Sequence, residues 1–88
     1  MSNTYQIYLI SDSTGETLDR IFTAIKAQFK NIDYKIHTYS FTRTENQILK
    51  ILSDAESHTN SVILYTVVDN SLAKYLSNTS DKKKIPCF

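Results

Sequence analysis

The sequence predicts an α/β domain: a small open parallel sheet of three to four strands with helices on both faces. Three observations carry this. Short β-branched or aromatic runs alternate with segments of helical period along the chain. The connections between them are short, and such alternation implies parallel strands joined by right-handed crossovers. A helix-start signal precedes each helical segment: Ser13 with Glu16, Thr44 with Gln47, and Asp69.

Residues 5–10, Tyr-Gln-Ile-Tyr-Leu-Ile, form the first strand, since the run is apolar and aromatic with no breaker. Leu18, Ile21, Phe22, Ile25 and Phe29 then fall on one helical face, with Lys30-Asn31 as the stop. Residues 33–41 alternate: Tyr34, Ile36 and Thr38 face one way, Lys35, His37 and Tyr39 the other, as on a strand near a sheet edge. Thr44-Glu45-Asn46-Gln47 opens a second helix over about 45–56, carrying Ile48, Leu49, Ile51, Leu52 and Ala55.

The run 62–68, Val-Ile-Leu-Tyr-Thr-Val-Val, is the most apolar of the chain and reads as a central strand buried on both faces. Asp69-Asn70-Ser71 caps a short third helix through Leu72, Ala73, Tyr75 and Leu76, ending within 77–81. Lys82-Lys83-Lys84 solvates the following loop and faces the helix C-terminus. Residues 85–88 look like the first residues of a fourth strand. The spacing there suits a domain cut within a strand, and equally a short edge strand that ends naturally.

The whole is one domain of 88 residues, 41% hydrophobic and 22% charged, as in ordinary soluble globular proteins. Ten basic and nine acidic residues leave a net charge of +1. That balance gives no support to nucleic acid or an anionic membrane as partner. No apolar run approaches the roughly 20 residues that span a bilayer. Met1-Ser2-Asn3-Thr4 has no basic segment and no signal core. Cys87 is the single cysteine, which suits a reducing compartment and a cytoplasmic location.

The chemistry centres on residues 11–17, Ser-Asp-Ser-Thr-Gly-Glu-Thr, where a strand ends and a helix begins. In open α/β sheets ligands bind at the carboxyl ends of strands. Backbone N–H groups at the helix start, with the hydroxyls of Ser13, Thr14 and Thr17, suit a phosphate. Asp12 counts against a bare anion, but suits a hydroxyl or a divalent cation. The plain alternative is a capped helix and a glycine turn that hold nothing. If the third strand lies beside the first, Asp69 joins Asp12 at one crevice; otherwise Asp69 only caps its helix. Arg43, ahead of a capped helix, is a phosphate contact or a solvated loop residue.

Gly15 is the only glycine, which rules out a GxGxxG dinucleotide turn, a GxxxxGK[ST] phosphate loop and a GxSxG nucleophile elbow. No CxxC, HExxH or His–Cys cluster offers a metal site. His37 and His58 read as edge or surface histidines rather than catalysts.

Four segments together resemble the N-terminal part of the pyruvate, phosphate dikinase regulatory protein family. They are residues 8–17 (YLISDSTGET), 39–45 (YSFTRTE), 62–69 (VILYTVVD) and 85–87 (IPC), in the family's order and spacing. The resemblance implies a bifunctional serine/threonine kinase and phosphorylase. Family members use ADP to phosphorylate, and so inactivate, a threonine of the dikinase. They remove that phosphate with inorganic phosphate, releasing pyrophosphate; a related branch acts likewise on phosphoenolpyruvate synthase. The family's nucleotide loop, GxSRTxKT, lies downstream of the region matched here. The resemblance therefore implies a truncated domain, inactive alone and able to pair with a separate C-terminal half. It carries over only to Ser11, Asp12, Ser13, Thr14, Gly15, Glu16 and Thr17, with Arg43 and Asp69 in support, as residues that shape the site or dock the partner. The alternative is a non-catalytic module that binds a phosphate ligand.

Overall fold

The computed structural model of the protein describes residues 4–27, 33–58 and 60–87. Six elements follow in order: β1 (Tyr5–Ser11), α1 (Glu16–Lys26), β2 (Tyr34–Tyr39), α2 (Glu45–Glu56), β3 (Ser61–Thr66) and α3 (Asn70–Lys82). The strands make one parallel sheet in the order β2-β1-β3. Tyr5 to Ile10 pair with Tyr34 to Tyr39 on one side, and Gln6 to Ser11 pair with Ser61 to Thr66 on the other. This is the α/β, Rossmann-like arrangement that the alternation predicts.

The central strand is β1, not β3. Ile7 to Ser11 are all buried, because β1 has a strand on either side and helices above and below. In β3 only Ser61 and Ile63 are buried. Val67 and Val68 lie past the strand's end, and Val68 is 84% exposed. The apolarity of the 62–68 run reports how many side chains prefer cover. It does not report which strand has two neighbours.

Alternation along β1 divides the core. Ile7 and Leu9 face α1 and pack with its Leu18 and Phe22, flanked by Tyr34 and Leu64. Phe22 meets Tyr34 edge-on, with ring centroids 5.6 Å apart. Tyr8 and Ile10 face α2 and α3 and pack with Ile48, Ile51, Leu52, Ala55, Ile63, Leu76 and Ile85. Each such aliphatic side chain contributes roughly 1.5–3 kcal/mol when fully buried. Ile21, expected on the buried face of α1, is 43% exposed. Phe29 and the Lys30-Asn31 stop lie outside the described residues, as does the side chain of Ile25.

The helix starts follow the sequence in two cases of three. Thr44 caps α2: its side chain accepts from the Gln47 N–H at 3.2 Å, and Gln47 Oε1 accepts from the Thr44 N–H at 3.0 Å. Asp69 caps α3, its Oδ1 accepting from Ser71 and Leu72 N–H at 2.8 and 3.1 Å. The Ser13–Glu16 box does not form. The Gly15 carbonyl takes the first helical bond, from Asp19 N–H, so Gly15 stands at the cap with φ +85°. Ser13 turns back instead, its N–H donating to Ser11 Oγ at 3.1 Å.

Helix α3 runs to Lys82, beyond the stop expected within 77–81, and ends without a glycine. Lys84 takes the left-handed conformation at φ +58°. Its N–H donates to Asp81 O, and the Ile85 N–H reaches Ser80 O. This pattern of two reversed bonds closes a helix end and usually employs glycine. Buried Ile85 supplies the apolar contact that goes with it. The lysine run therefore does more than solvate a loop: Lys83 also pairs with Glu56 at the end of α2, at 3.1 Å. The expected fourth strand is a single parallel bridge between Cys87 and Ile63; Phe88 lies outside the described residues. No helix among the described residues is long and apolar enough to cross a membrane.

Candidate functional site

Parallel pairing places the carboxyl ends of all three strands at one side of the sheet, so their following loops meet there. The loop after β1 lines a cavity of about 250 Å³ with Ser11, Asp12, Ser13, Thr14, Gly15, Glu16 and Thr17. Thr66 and Val68, at the end of β3, close its other side.

The loop is held from outside by the β2–α2 connection. Ser11 O accepts from Thr42 N–H at 2.8 Å and Ser13 O from Phe41 N–H at 2.9 Å. Asp12 O accepts from Arg43 Nε at 3.1 Å, and Thr14 O from Ser40 Oγ at 3.0 Å. Four consecutive carbonyls are thus all engaged by residues 40–43. Thr42 is buried. Phe41 adopts φ +55°, uncommon for a bulky residue, and its ring lies 5.3 Å from the Arg43 guanidinium carbon. The N–H groups of Asp12 and Ser13 are engaged, by Thr66 O and Ser11 Oγ, whereas the first N–H groups of a helix such as α1 have no acceptor within it.

On the inner side, Asp12 Oδ2 accepts from the Val68 N–H at 2.8 Å, tying the β1 loop to the end of β3. Ser11 Oγ lies 3.3 Å from Ser13 Oγ and accepts from Thr66 Oγ1 at 3.4 Å. Asp69 does not line the cavity; its carboxylate is committed to the α3 cap. The two carboxylates expected at one crevice each bond to a backbone instead. Arg43 reaches the loop from its outer side, through the Asp12 carbonyl.

Sequence reasoning singled out residues 11–17 but missed Ser40, Phe41 and Thr42 as supports, and Thr66 and Val68 as walls. One signal was available. A β2–α2 connection of five residues returns at the same end of the sheet, so it must cross the loop after β1. A cavity of about 250 Å³ is smaller than the ~300–1,000 Å³ pockets that enclose whole cofactors. It has room for a phosphate-bearing group rather than for a whole cofactor. Hydroxyls and helix-start amides provide the donors. Among the described residues no group of three His, Cys, Asp or Glu could hold a metal ion.

A second polar cluster lies under the sheet, on the α2 face. The Tyr8 hydroxyl donates to Asp54 Oδ2 at 2.7 Å, and its ring stacks on His37 with centroids 4.5 Å apart. His37 Nε2 donates to Gln6 Oε1 at 2.7 Å. Burial, then the neighbouring Asp54 carboxylate, pushes the Tyr8 phenol far above its usual range. Burial holds His37 below the ordinary histidine value. The fold gives both residues packing partners, in keeping with a structural role.

Residues 7–88 match the family model described as kinase/pyrophosphorylase. A pyruvate, phosphate dikinase regulatory protein of Pelagibacter ubique is 70% identical over the whole chain, which covers 32% of that relative. Proteins bearing the same name from Geotalea uraniireducens and Chelativorans are 45% and 36% identical, over 91% and 94% of this chain and 29% and 30% of theirs. The chain therefore spans about a third of the length of these curated relatives. With the match running from β1 through the last described residue, this chain belongs to the kinase/pyrophosphorylase family.

Proposed function

We propose that this chain is the loop-bearing region of a bifunctional serine/threonine kinase and phosphorylase that regulates pyruvate, phosphate dikinase in the cytoplasm. In this reading ADP donates a phosphoryl group to a threonine of the dikinase. Inorganic phosphate takes it back as pyrophosphate. The cavity lined by residues 11–17, at the start of α1, is the observation that supports it.

Phosphoryl transfer depends on positioning and charge neutralisation more than on covalent chemistry by the protein. The hydroxyls of Ser13, Thr14 and Thr17 and the start of α1 receive the phosphate-bearing group. Asp12 fixes the loop against β3, and Arg43 braces it from outside. Glu16 and Asp69 stand at the starts of α1 and α3. The grip on ADP belongs elsewhere. Gly15 is followed by Glu16-Thr17-Leu18, so no GxSRTxKT segment occurs in these 88 residues. The 88 residues alone accordingly transfer no phosphate, and need a region that carries that loop.

Titrating inorganic phosphate into ¹⁵N-labelled chain tests the site. Amide shifts confined to residues 13–18 are expected; their absence overturns the assignment. Phosphate transfer from ADP to dikinase by the 88 residues alone would overturn the inactivity. The second reading, a phosphate-binding module without catalysis, is favoured by the same missing nucleotide loop. It prevails if phosphate binds here but the intact Pelagibacter relative transfers none to dikinase.

A further inference from the structure

We propose that the outer edge of β3 is a docking edge for one extended segment, which pairs with it as a fourth parallel strand. Its occupant comes from the two thirds of the family chain that this sequence does not match.

Backbone register carries the argument. Gln6 N–H donates to Asn60 O and Asp12 N–H to Thr66 O, so the even-numbered residues of β3 bond to β1. The odd-numbered residues turn the other way, as in any parallel ladder. Ile63 N–H does so and donates to Pro86 O at 2.9 Å, and Ile63 bridges Cys87 in parallel. Direction and register of a fourth strand are thereby set. Tyr65 and Val67 come next along the same edge. No acceptor for the Val67 N–H is found among the described residues.

The space beside that edge is already open. A cavity of about 510 Å³ runs between β3 and α3, lined by Tyr65, Ala73 and Ser77 among others. One of about 260 Å³ continues it past Ser77 to Ile85 and Cys87. The trench therefore follows the edge from the Cys87 bridge towards the end of β3. Ala73 and Ser77, one helical turn apart, keep its α3 wall low. Tyr65, Val67, Leu72 and Cys87 pack against the core but stay half-buried, leaving apolar surface for alternate side chains of the incoming strand. An extended chain bonded to an open edge in this way gains main-chain hydrogen bonds and side-chain pockets together.

The occupant's origin follows from the relatives, in which this region is only about a third of the length. Its consequence concerns the site. A strand parallel to β3 ends beside Val67, next to Val68 on the rim of the 11–17 cavity. The loop that follows it is delivered there. The pairing rests on backbone register and the open trench beside β3, not on a bound phosphate, so it stands or falls separately from the phosphate titration.

Amide hydrogen exchange tests it, in this chain and in the intact Pelagibacter ubique relative. At the position aligned with Val67, exchange in the relative should be at least ~100-fold slower than in this chain. The same spectra should show an interstrand contact from that residue to the segment following the position aligned with Cys87. Equal exchange in the two proteins overturns the proposal. So does slowing without that interstrand contact, which would mean burial under another element. Protection that appears in this chain only as it dimerises, with none in the relative, would assign the edge to a second copy and also overturn it.

Discussion

The Asp12 carboxylate accepts a hydrogen bond from the Val68 backbone N–H at 2.8 Å, and this bond, beside that of the Asp12 N–H to Thr66 O, joins the loop after β1 to the end of β3. Its partner on the same residue, the Asp12 carbonyl, holds Arg43 on the opposite side at 3.1 Å. Asp12→Ala frees both the carboxylate's donor and the geometry of the loop. A loss of about 1 kcal/mol is expected from urea denaturation, since the released N–H is exposed to water. Asp12→Asn retains an oxygen acceptor and should lose less.

Arg43→Ala should leave stability nearly unchanged, by less than about 1 kcal/mol, because an exposed cation over a ring contributes little. Its effect should appear in the phosphate titration, as weaker shifts at residues 13–18. A stability loss above ~2 kcal/mol would instead make the Arg43–Asp12 bond a structural tie.

Gly15→Ala tests the cap. A Cβ there would sit 3.6 Å from Ser40 Oγ and 3.8 Å from Ser11 Cβ, ordinary distances. The cost therefore comes from φ +85°, about 1–2 kcal/mol for a residue with a side chain. Denaturation midpoints of wild type and variant measure it.

Tyr8→Phe removes the hydroxyl bonded to Asp54. About 1 kcal/mol should be lost, since Asp54 is exposed and recovers water as a partner. The variant also changes alkaline behaviour. The folded phenol is held above its ordinary value of 10 by burial and by Asp54, so the unfolded chain gives up this proton first. Stability is then complete below pH 10 and falls as pH rises beyond it. Tyr8→Phe should flatten that fall without abolishing it, because burial raises Tyr39 in the same direction.

At the acid side His37 acts in the opposite sense. Burial lowers its folded value beneath 6.5, so the unfolded chain binds the proton first. Stability is complete above pH 6.5 and declines as pH drops below it. His37→Phe keeps a ring against Tyr8 and should reduce that decline between pH 6.5 and 5.5. An unchanged slope would place the acid sensitivity elsewhere.

The local signals in the sequence were strong where chemistry is local. Thr44-Glu45-Asn46-Gln47 and Asp69 carry their helix starts in their own side chains, and both caps form. Ser13 with Glu16 has the same spacing and fails, because Ser13 bonds Ser11 and its carbonyl accepts from Phe41. The end of α3 was illegible for a related reason. Lys84 occupies a position that glycine usually marks, and its left-handed turn is held by Asp81 and Ser80 carbonyls and by burial of Ile85.

By itself the sequence determined the alternation of strands and helices, the parallel sheet, the edge position of β2 and the location of the loop at residues 11–17. Each follows from periodicity, connection length or turn chemistry, which are properties of neighbours along the chain. Tertiary structure alone decided that β1 is central, that residues 40–43 brace the loop, and that Thr66 and Val68 wall the cavity while Asp69 does not. Those outcomes depend on which strand lies beside which, and on hydrogen bonds between residues some 30 to 55 positions apart. Side-chain type sets what each residue prefers nearby; only the assembled sheet settles which residue is there.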